Sequence, residues 1–273
     1  MTGRELPPTS AFSGDDGSAD PGLSAALTEH AAGGPVAPVV AALAGIRVLV
    51  PVLAEAEATE AVVIDGHEHT VDRQASAGIV ALQAPDGRTA LPVFSSVASM
   101  AAWRADARPV PSEIARAALS AVDEGWELLV LDPGGPVTVL IPRPAVWALA
   151  QQTTWVPAVT GVGDQRTVDP QVQQAIRTAI EAVLAVGEPE AEQPRRRWWQ
   201  RSATAQTALA QPPAAVQEVV VRPGDRSEVE VQLHLAPGLD RGTVDTVLRA
   251  VAAALAGDDT VTRRVDAVQV RLR

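Results

Sequence analysis

Residues 78–94 read GIVALQAPDGRTALPVF, and residues 127–141 read ELLVLDPGGPVTVLI. In the first stretch two short apolar runs flank Asp86-Gly87, a pair that tolerates positive φ and so favours a tight hairpin turn. In the second, ELLVL and VTVLI are strands joined across DPGGP, whose glycines serve a turn. Strand here follows strand instead of alternating with helix, which predicts an α+β fold: a mixed sheet with hairpins, packed by helices.

The flanking segments supply those helices. Asp20 is an N-cap residue with Pro21 in the first helical position, and Leu23, Ala26, Leu27 and His30 follow at helical spacing. A second short helix runs from about Pro38 to Ala44, and Gly45 closes it. IRVLVPV at 46–52 is short and β-branched and reads as a buried strand. The polar stretch 55–76 holds one strand candidate, Ala61–Ile64. SVASMAAW is a short helix opening after Ser95 or Ser96. RPVP at 108–111 is an extended bridge, because residues before proline avoid the helical region. A helix from Pro111 or Ser112 to about Glu124 carries a one-sided stripe of Ile114, Ala117, Ala118, Ala121 and Val122. Ala145–Gln151 is a further helix.

The C-terminal part repeats the hairpin, helix, strand order on a smaller scale. WVPAVTGVGDQRT reads as a loop, and Asp169 caps a helix whose apolar face is Val172, Ile176, Ile180, Val183 and Leu184. EVVVRPGDRSEVEVQLHL is a hairpin. Asp240 caps a helix with Val244, Val247, Leu248, Val251 and Leu255, and VDAVQVRLR is an alternating strand. These elements form an α-ββαβ domain. The expected organisation is a flexible segment at 1–19, an α+β domain at 20–157, and a C-terminal α+β domain at 158–273. A Pro/Arg/Trp-rich linker at 187–215 interrupts the last of these.

Composition narrows the function. The 273 residues contain no Cys and no Tyr, and all 22 basic residues are Arg. Without Lys there is no Walker-type phosphate loop and no Schiff-base chemistry, and without Cys no thiol nucleophile. Neither a GxSxG elbow nor a GxGxxG turn opening a helix is present. The formal net charge is −11. Residues 1–160 hold 8 Arg against 18 acids, and residues 161–273 hold 14 Arg against 15. The acid therefore sits in the N-terminal part, which repels phosphate backbones, so no nucleic-acid partner is expected. The first twenty residues lack the apolar core of a signal peptide. The most hydrophobic run, 36–54, is broken by Pro38, Gly45, Arg47 and Pro51, so it is no transmembrane helix. A cytoplasmic protein is expected.

Several segments together resemble the SseB family, in the form of its actinobacterial two-domain members: FSGDDGSADPGL (12–23), RVLVPVLA (47–54), DGRTALPVFSS (86–96), RPVP (108–111) and LVLDPGGP (129–136). PGLD at 237–240, with the helix and strand after it, fits as well. The founding member is named for an enhanced serine sensitivity phenotype, which implies no catalytic residues and no cofactor.

Four features are candidate sites. Asp15, Asp16 and Asp20 form an acid cluster on a resembling stretch and are the leading interaction site of the N-terminal domain; the physical alternative is a turn with a helix cap. Arg108 belongs to a motif, Arg108-Pro-Val-Pro111, that reads as rigid packing between helices, with pairing of Arg108 to that acidic patch as the functional alternative. Arg195, Arg196, Arg197, Trp198, Trp199 and Arg201 form a docking element in the linker, with a peripheral membrane anchor as the alternative. His67 and His69, with Asp65 or Asp72, are the best candidates for a metal-dependent enzyme, but they lack a firm third ligand. The favoured reading is a non-catalytic binding or regulatory module acting through protein–protein contacts, with no cofactor and no metal.

Overall fold

The computed structural model describes residues 12–53, 61–64, 67–70, 80–84, 86–186, 215–225 and 227–273, of which 61–64, 67–70, 185 and 186 are described by backbone alone. The chain divides into two compact units, Met1–Pro157 and Ala158–Arg273. Both are α+β.

Unit 1 opens with α1 (Pro21–Ala31), α2 (Ala37–Leu43) and β1 (Arg47–Val52). Asp20 caps α1 by accepting the Leu23 N–H at 3.0 Å. The polar stretch holds a hairpin of β2 (Ala61–Ile64) and β3 (His67–Thr70); β3 has too few apolar residues to be read from sequence. Then come β4 (Leu82–Gln83), β5 (Thr89–Val93), α3 (Val97–Trp103), β6 (Arg108–Glu113), α4 (Ile114–Asp123), β7 (Leu128–Leu131), β8 (Val139–Ile141) and α5 (Arg143–Ala150). The Asp86-Gly87 turn forms as expected. Gly87 has φ +86°, its N–H reaches Ala84 O at 2.9 Å, and Asp86 accepts the Arg88 N–H.

The sheet runs β4-β5-β7-β8, with β5 and β7 parallel and the outer pairs antiparallel. Leu128, Leu129, Val130 and Leu131 are all buried, so β7 is covered on both faces, as its unbroken apolar run requires. Leu129 and Leu131 join the main core with Leu91, Val93, Leu23, Leu43, Ile114, Ala118 and Leu149. Leu128 and Val130 pack on the other face with Leu82 and Ala90. Of the tryptophans in this unit, Trp126 is buried in the core and Trp155 packs against it. Trp103 meets Phe94 with ring centroids 5.2 Å apart, while Trp147 is 44% exposed.

RPVP is more than a bridge. Residues 108–113 form strand β6, paired antiparallel with β1. Leu49 exchanges both backbone hydrogen bonds with Phe94, at 2.9 Å each, so its peptide groups point away from β6. Leu49↔Pro111 and Pro51↔Pro109 are therefore the non-hydrogen-bonded pairs, and Val48, Val50 and Val52 bond to Ser112, Val110 and Arg108. Both prolines fall on the outward positions of an edge strand, where an N–H would otherwise recruit another strand. Proline here costs no ladder bond and removes two free donors.

Unit 2 contains a small hairpin missed in the sequence, β9 (Val159–Thr160) and β10 (Thr167–Val168), with a 3-10 turn between them. It continues with α6 (Pro170–Val186), β11 (Val216–Pro223), β12 (Val229–Leu235), α7 (Arg241–Gly257), α8 (Asp259–Arg264) and β13 (Val268–Leu272). The sheet order is β11-β12-β13, with β11 antiparallel and β13 parallel to β12. Val229, Val231 and Leu233 are fully buried in one cluster with Val172, Ile176, Ile180, Val251 and Leu255 of α6 and α7. The opposite side of β12 carries Glu230, whose side chain is 1% exposed. It accepts from Arg222 at 2.7 Å and Gln232 at 2.8 Å, and pairs with Arg271 at 3.0 Å. These donors hold its carboxyl below the usual range, Gln232 first and then Arg222. The sequence also missed α8, a six-residue helix capped by Asp258, which accepts the Thr260 and Val261 N–H groups.

The proline reading of β6 predicts the behaviour of a P109V/P111V variant. It should lose no more than about 2 kcal/mol, since each proline restricts the unfolded chain by roughly 0.4–1 kcal/mol. Light scattering should then show growth into larger species through the β6 edge, beyond any association of the unsubstituted chain.

Candidate functional site

Four of the resembling stretches, 12–23, 47–54, 86–96 and 129–136, are far apart in sequence but joined by hydrogen bonds in unit 1. β5 and β7 are parallel, so the residues that follow them, Phe94-Ser95-Ser96 and Asp132-Pro-Gly-Gly-Pro, emerge side by side. Asp132 is 5% exposed and sits at φ +49°, a left-handed conformation that Asp tolerates better than most residues. Its Oδ1 accepts the Ser95 N–H at 2.8 Å and its Oδ2 accepts the Ser95 hydroxyl at 2.6 Å. Its own carbonyl accepts from the Gly135 N–H at 3.1 Å and the Thr138 hydroxyl at 2.9 Å. Burial pushes the carboxyl above its ordinary value of 3.8, against the opposing pull of the Ser95 donors.

The network continues to the N-terminal loop. Arg47 on β1 donates from Nη1 to Ser95 O at 3.0 Å and from Nη2 to Ser18 O at 2.8 Å, and Nη2 also binds the Asp15 carboxylate. The Val97 N–H donates to Gly17 O at 2.9 Å. Gly17 has φ +79°, and a Cβ there would lie 2.6 Å from Val97 Cγ2, so only glycine fits. Residues 12–19, expected to be flexible, are pinned across β1 and α3; residues 1–11 lie outside the described residues.

The predicted site residues therefore separate. Asp15 is an internal partner: its backbone is exposed, but its side chain is only 18% exposed beside Arg47. Asp16 folds back on the Ser18 N–H and hydroxyl, and those bonds hold its carboxyl below the usual range. Asp20 is the α1 cap. Arg108 is exposed at the start of β6, opposite Val52, with no ion pair to this loop among the described residues. Arg195, Arg196, Arg197, Trp198, Trp199 and Arg201 lie outside the described residues, as do Asp65 and Asp72. His67 and His69 occupy alternate positions of β3, and their side chains are likewise outside the description. Among the described residues no group of three His, Asp or Glu side chains is placed to hold a metal, and no helix is long and apolar enough to cross a membrane.

The Ser95–Asp132 pair does not make a nucleophile. Ser95 is 4% exposed, its hydroxyl proton is directed at a carboxylate, and among the described residues no imidazole stands beside it. What this network builds is a support. Ser95 and Ser96 lead into α3, and Ser96 caps that helix by accepting the Ser99 N–H at 3.0 Å.

An accessible cavity lies elsewhere in unit 1. It has a volume of about 590 Å³, within the range of small-ligand and side-chain pockets. One wall is the α2 stripe Ala37, Val40, Ala41 and Ala44; the others are the start of α4 with Glu113, and the segment after α5, Gln152–Trp155. The α5 end is a Schellman motif, with the Thr153 N–H on Ala148 O and the Gln152 N–H on Leu149 O. Gln152 sits at φ +55°, the position glycine usually takes, and lines the cleft. Glu113 and Gln152 are exposed at the cleft rim, and among the described residues no acceptor meets the buried Trp155 Nε1. Sequence reasoning missed this cleft, because its lining comes from three separate segments and its α2 side is mostly alanine.

Residues 23–148 match the family model described as SseB protein N-terminal domain. No curated protein and no solved structure matches the chain.

Two sets of variants test the network. Asp132→Ala should cost on the order of 3 kcal/mol, through lost buried hydrogen bonds and a left-handed backbone at alanine. Asp132→Asn keeps the shape and tolerates that φ. The folded state holds the Asp132 proton more tightly than the unfolded chain. The wild-type contribution is therefore fully present below 3.8 and declines as pH rises through the folded value. Thermal unfolding from acid to neutral pH should show the gap between wild type and D132N changing across that window and flat above it. In the loop, Asp15→Ala should cost about 1–2 kcal/mol and Asp20→Ala about 1 kcal/mol, while Asp16→Ala leaves the unfolding midpoint unmoved.

Proposed function

The N-terminal unit of this chain belongs to the SseB family, and from that premise we propose that the protein is a non-catalytic binding or regulatory module acting through protein–protein contacts. One observation carries this reading: the cleft between α2, the start of α4 and the segment after α5 combines an apolar wall with a buried indole N–H, Trp155 Nε1, that meets no acceptor among the described residues, and with exposed Glu113 and Gln152 at its rim. A binding site keeps donors and acceptors open for a partner, whereas a core satisfies them internally.

The chemistry of the lining selects the partner. Glu113 brings negative charge, no arginine lines the cleft, and the surrounding sequence to residue 160 carries a net charge of −10, from 8 Arg and 18 acids. A partner segment with an apolar side chain for the alanine wall and a basic group for Glu113 fits this setting, and the acidic unit steers it inward. The Ser95–Asp132–Arg47–Asp15 network then acts as the frame that holds unit 1 rigid, not as part of the contact.

Ala41 is exposed on the cleft wall, so Ala41→Trp fills the cleft without touching the core. Tagged wild-type protein should retain a specific partner from its host, and both A41W and Glu113→Gln should lose it while unfolding at the wild-type temperature. Equal capture by all three proteins would place the contact elsewhere. A turnover activity abolished by His67→Ala/His69→Ala would replace this reading with the metal-enzyme one.

A further inference from the structure

Every sheet edge is a row of open donors and acceptors, and this fold guards several of its edges. In unit 1, β6 carries prolines at two of its three outward positions, 109 and 111. β8 is three residues long and lies between Pro136 and Pro142. In unit 2, β11 ends at Pro223, whose missing N–H falls on the outward side. Its Val221 carbonyl accepts from the Gln173 amide at 3.3 Å.

β13 has no such guard. The Val229 N–H donates to Ala267 O, the Arg273 N–H to Leu233 O, and the Leu235 N–H to Arg273 O. This register turns the peptide groups of residues 267, 269, 271 and 273 toward β12. Those of Val268, Val270 and Leu272 point the other way, and among the described residues no strand lies there. Side-chain cover is incomplete as well. Val229, Val231 and Leu233 on β12 are fully buried, but Val268 and Val270 beside them are only half-buried, and Leu272 is 40% exposed.

We propose that β13 is the seam of a symmetric homodimer, in which two copies pair antiparallel about Val270 and join two three-stranded sheets into one. The occupant follows from self-complementarity. The outward set 268, 270, 272 is symmetric about its centre, so Val270 meets the partner's Val270 and Val268 meets the partner's Leu272 in bonded register. The half-covered apolar side chains then extend one another on the helix side. On the opposite side Arg271 lies across from the partner's Gln269, so no like charges face each other. Charge favours the C-terminal unit: residues 161–273 carry 14 Arg against 15 acids, whereas two copies of the acidic N-terminal part repel. The arrangement is isologous, so it closes at two copies and does not grow into a fibre. Five residues a side bury little area, so the association is weak and concentration dependent.

Sedimentation equilibrium of the full chain from micromolar to millimolar concentration tests this. The mass should rise from one chain toward two. Val270→Pro removes an outward donor and no β12 bond, and Leu272→Lys sets a charge into the seam; each should hold the mass at one chain while cooperative unfolding is retained. Amide exchange gives a readout independent of the variants: the Val268, Val270 and Leu272 amides should gain protection with concentration, while Gln269 and Arg271 are protected throughout. A single-chain mass at millimolar concentration, or a dimer indifferent to both substitutions, overturns the proposal.

Discussion

A carboxylate removed from water must find donors, and in unit 1 that requirement falls on Asp132. Both of its oxygens are taken by Ser95, one by the N–H and one by the hydroxyl. The bond ties together the ends of the two parallel central strands, which are separated in sequence by α3, β6 and α4. From Ser95 the contacts pass to Arg47 and on to Asp15 and Ser18. The N-terminal loop, β1, the start of α3 and the DPGGP turn thus share one set of hydrogen bonds. Buried networks of this kind resist partial occupancy, because each unpaired group costs more than its bond contributes.

Edges are the second constraint. A small mixed sheet leaves several strands half paired, and a chain without lysine lacks the residue commonly used to discourage further pairing. Here proline serves instead, at positions 109 and 111, where the β1 register sends the missing N–H groups outward. The same motif in an inner strand would break a ladder. Its tolerance depends on Leu49 having already committed its peptide groups to Phe94.

Acids that look alike in the sequence have different physical roles. Asp20, Asp169, Asp240 and Asp258 cap helices. Asp15 and Glu230 answer arginines, Asp132 is buried against serine, and Asp16 only closes its own turn. Glu113 lies exposed at the rim of an apolar cleft. Acid content alone could not separate these roles.

Local chemistry determined much of this protein in advance. The α+β class, the Asp86-Gly87 hairpin, the helix caps at Asp20, Asp169 and Asp240, and the C-terminal ββαβ order all follow from interactions within a few residues, which a sequence displays directly. β3 and the β9–β10 hairpin were not legible, because strands of two to four residues are too short to show a periodicity and exist only through their partners. The sequence marked Asp15 and Asp16 as one acidic surface, and only the fold, by bringing Arg47 32 residues nearer, made one of them structural. The cleft lay deeper still: its alanines, glutamate and tryptophan carry no joint signal until α2, α4 and the end of α5 are packed together. Tertiary structure decided which groups were left unpartnered, because whether a donor or acceptor is satisfied depends on residues remote in the chain.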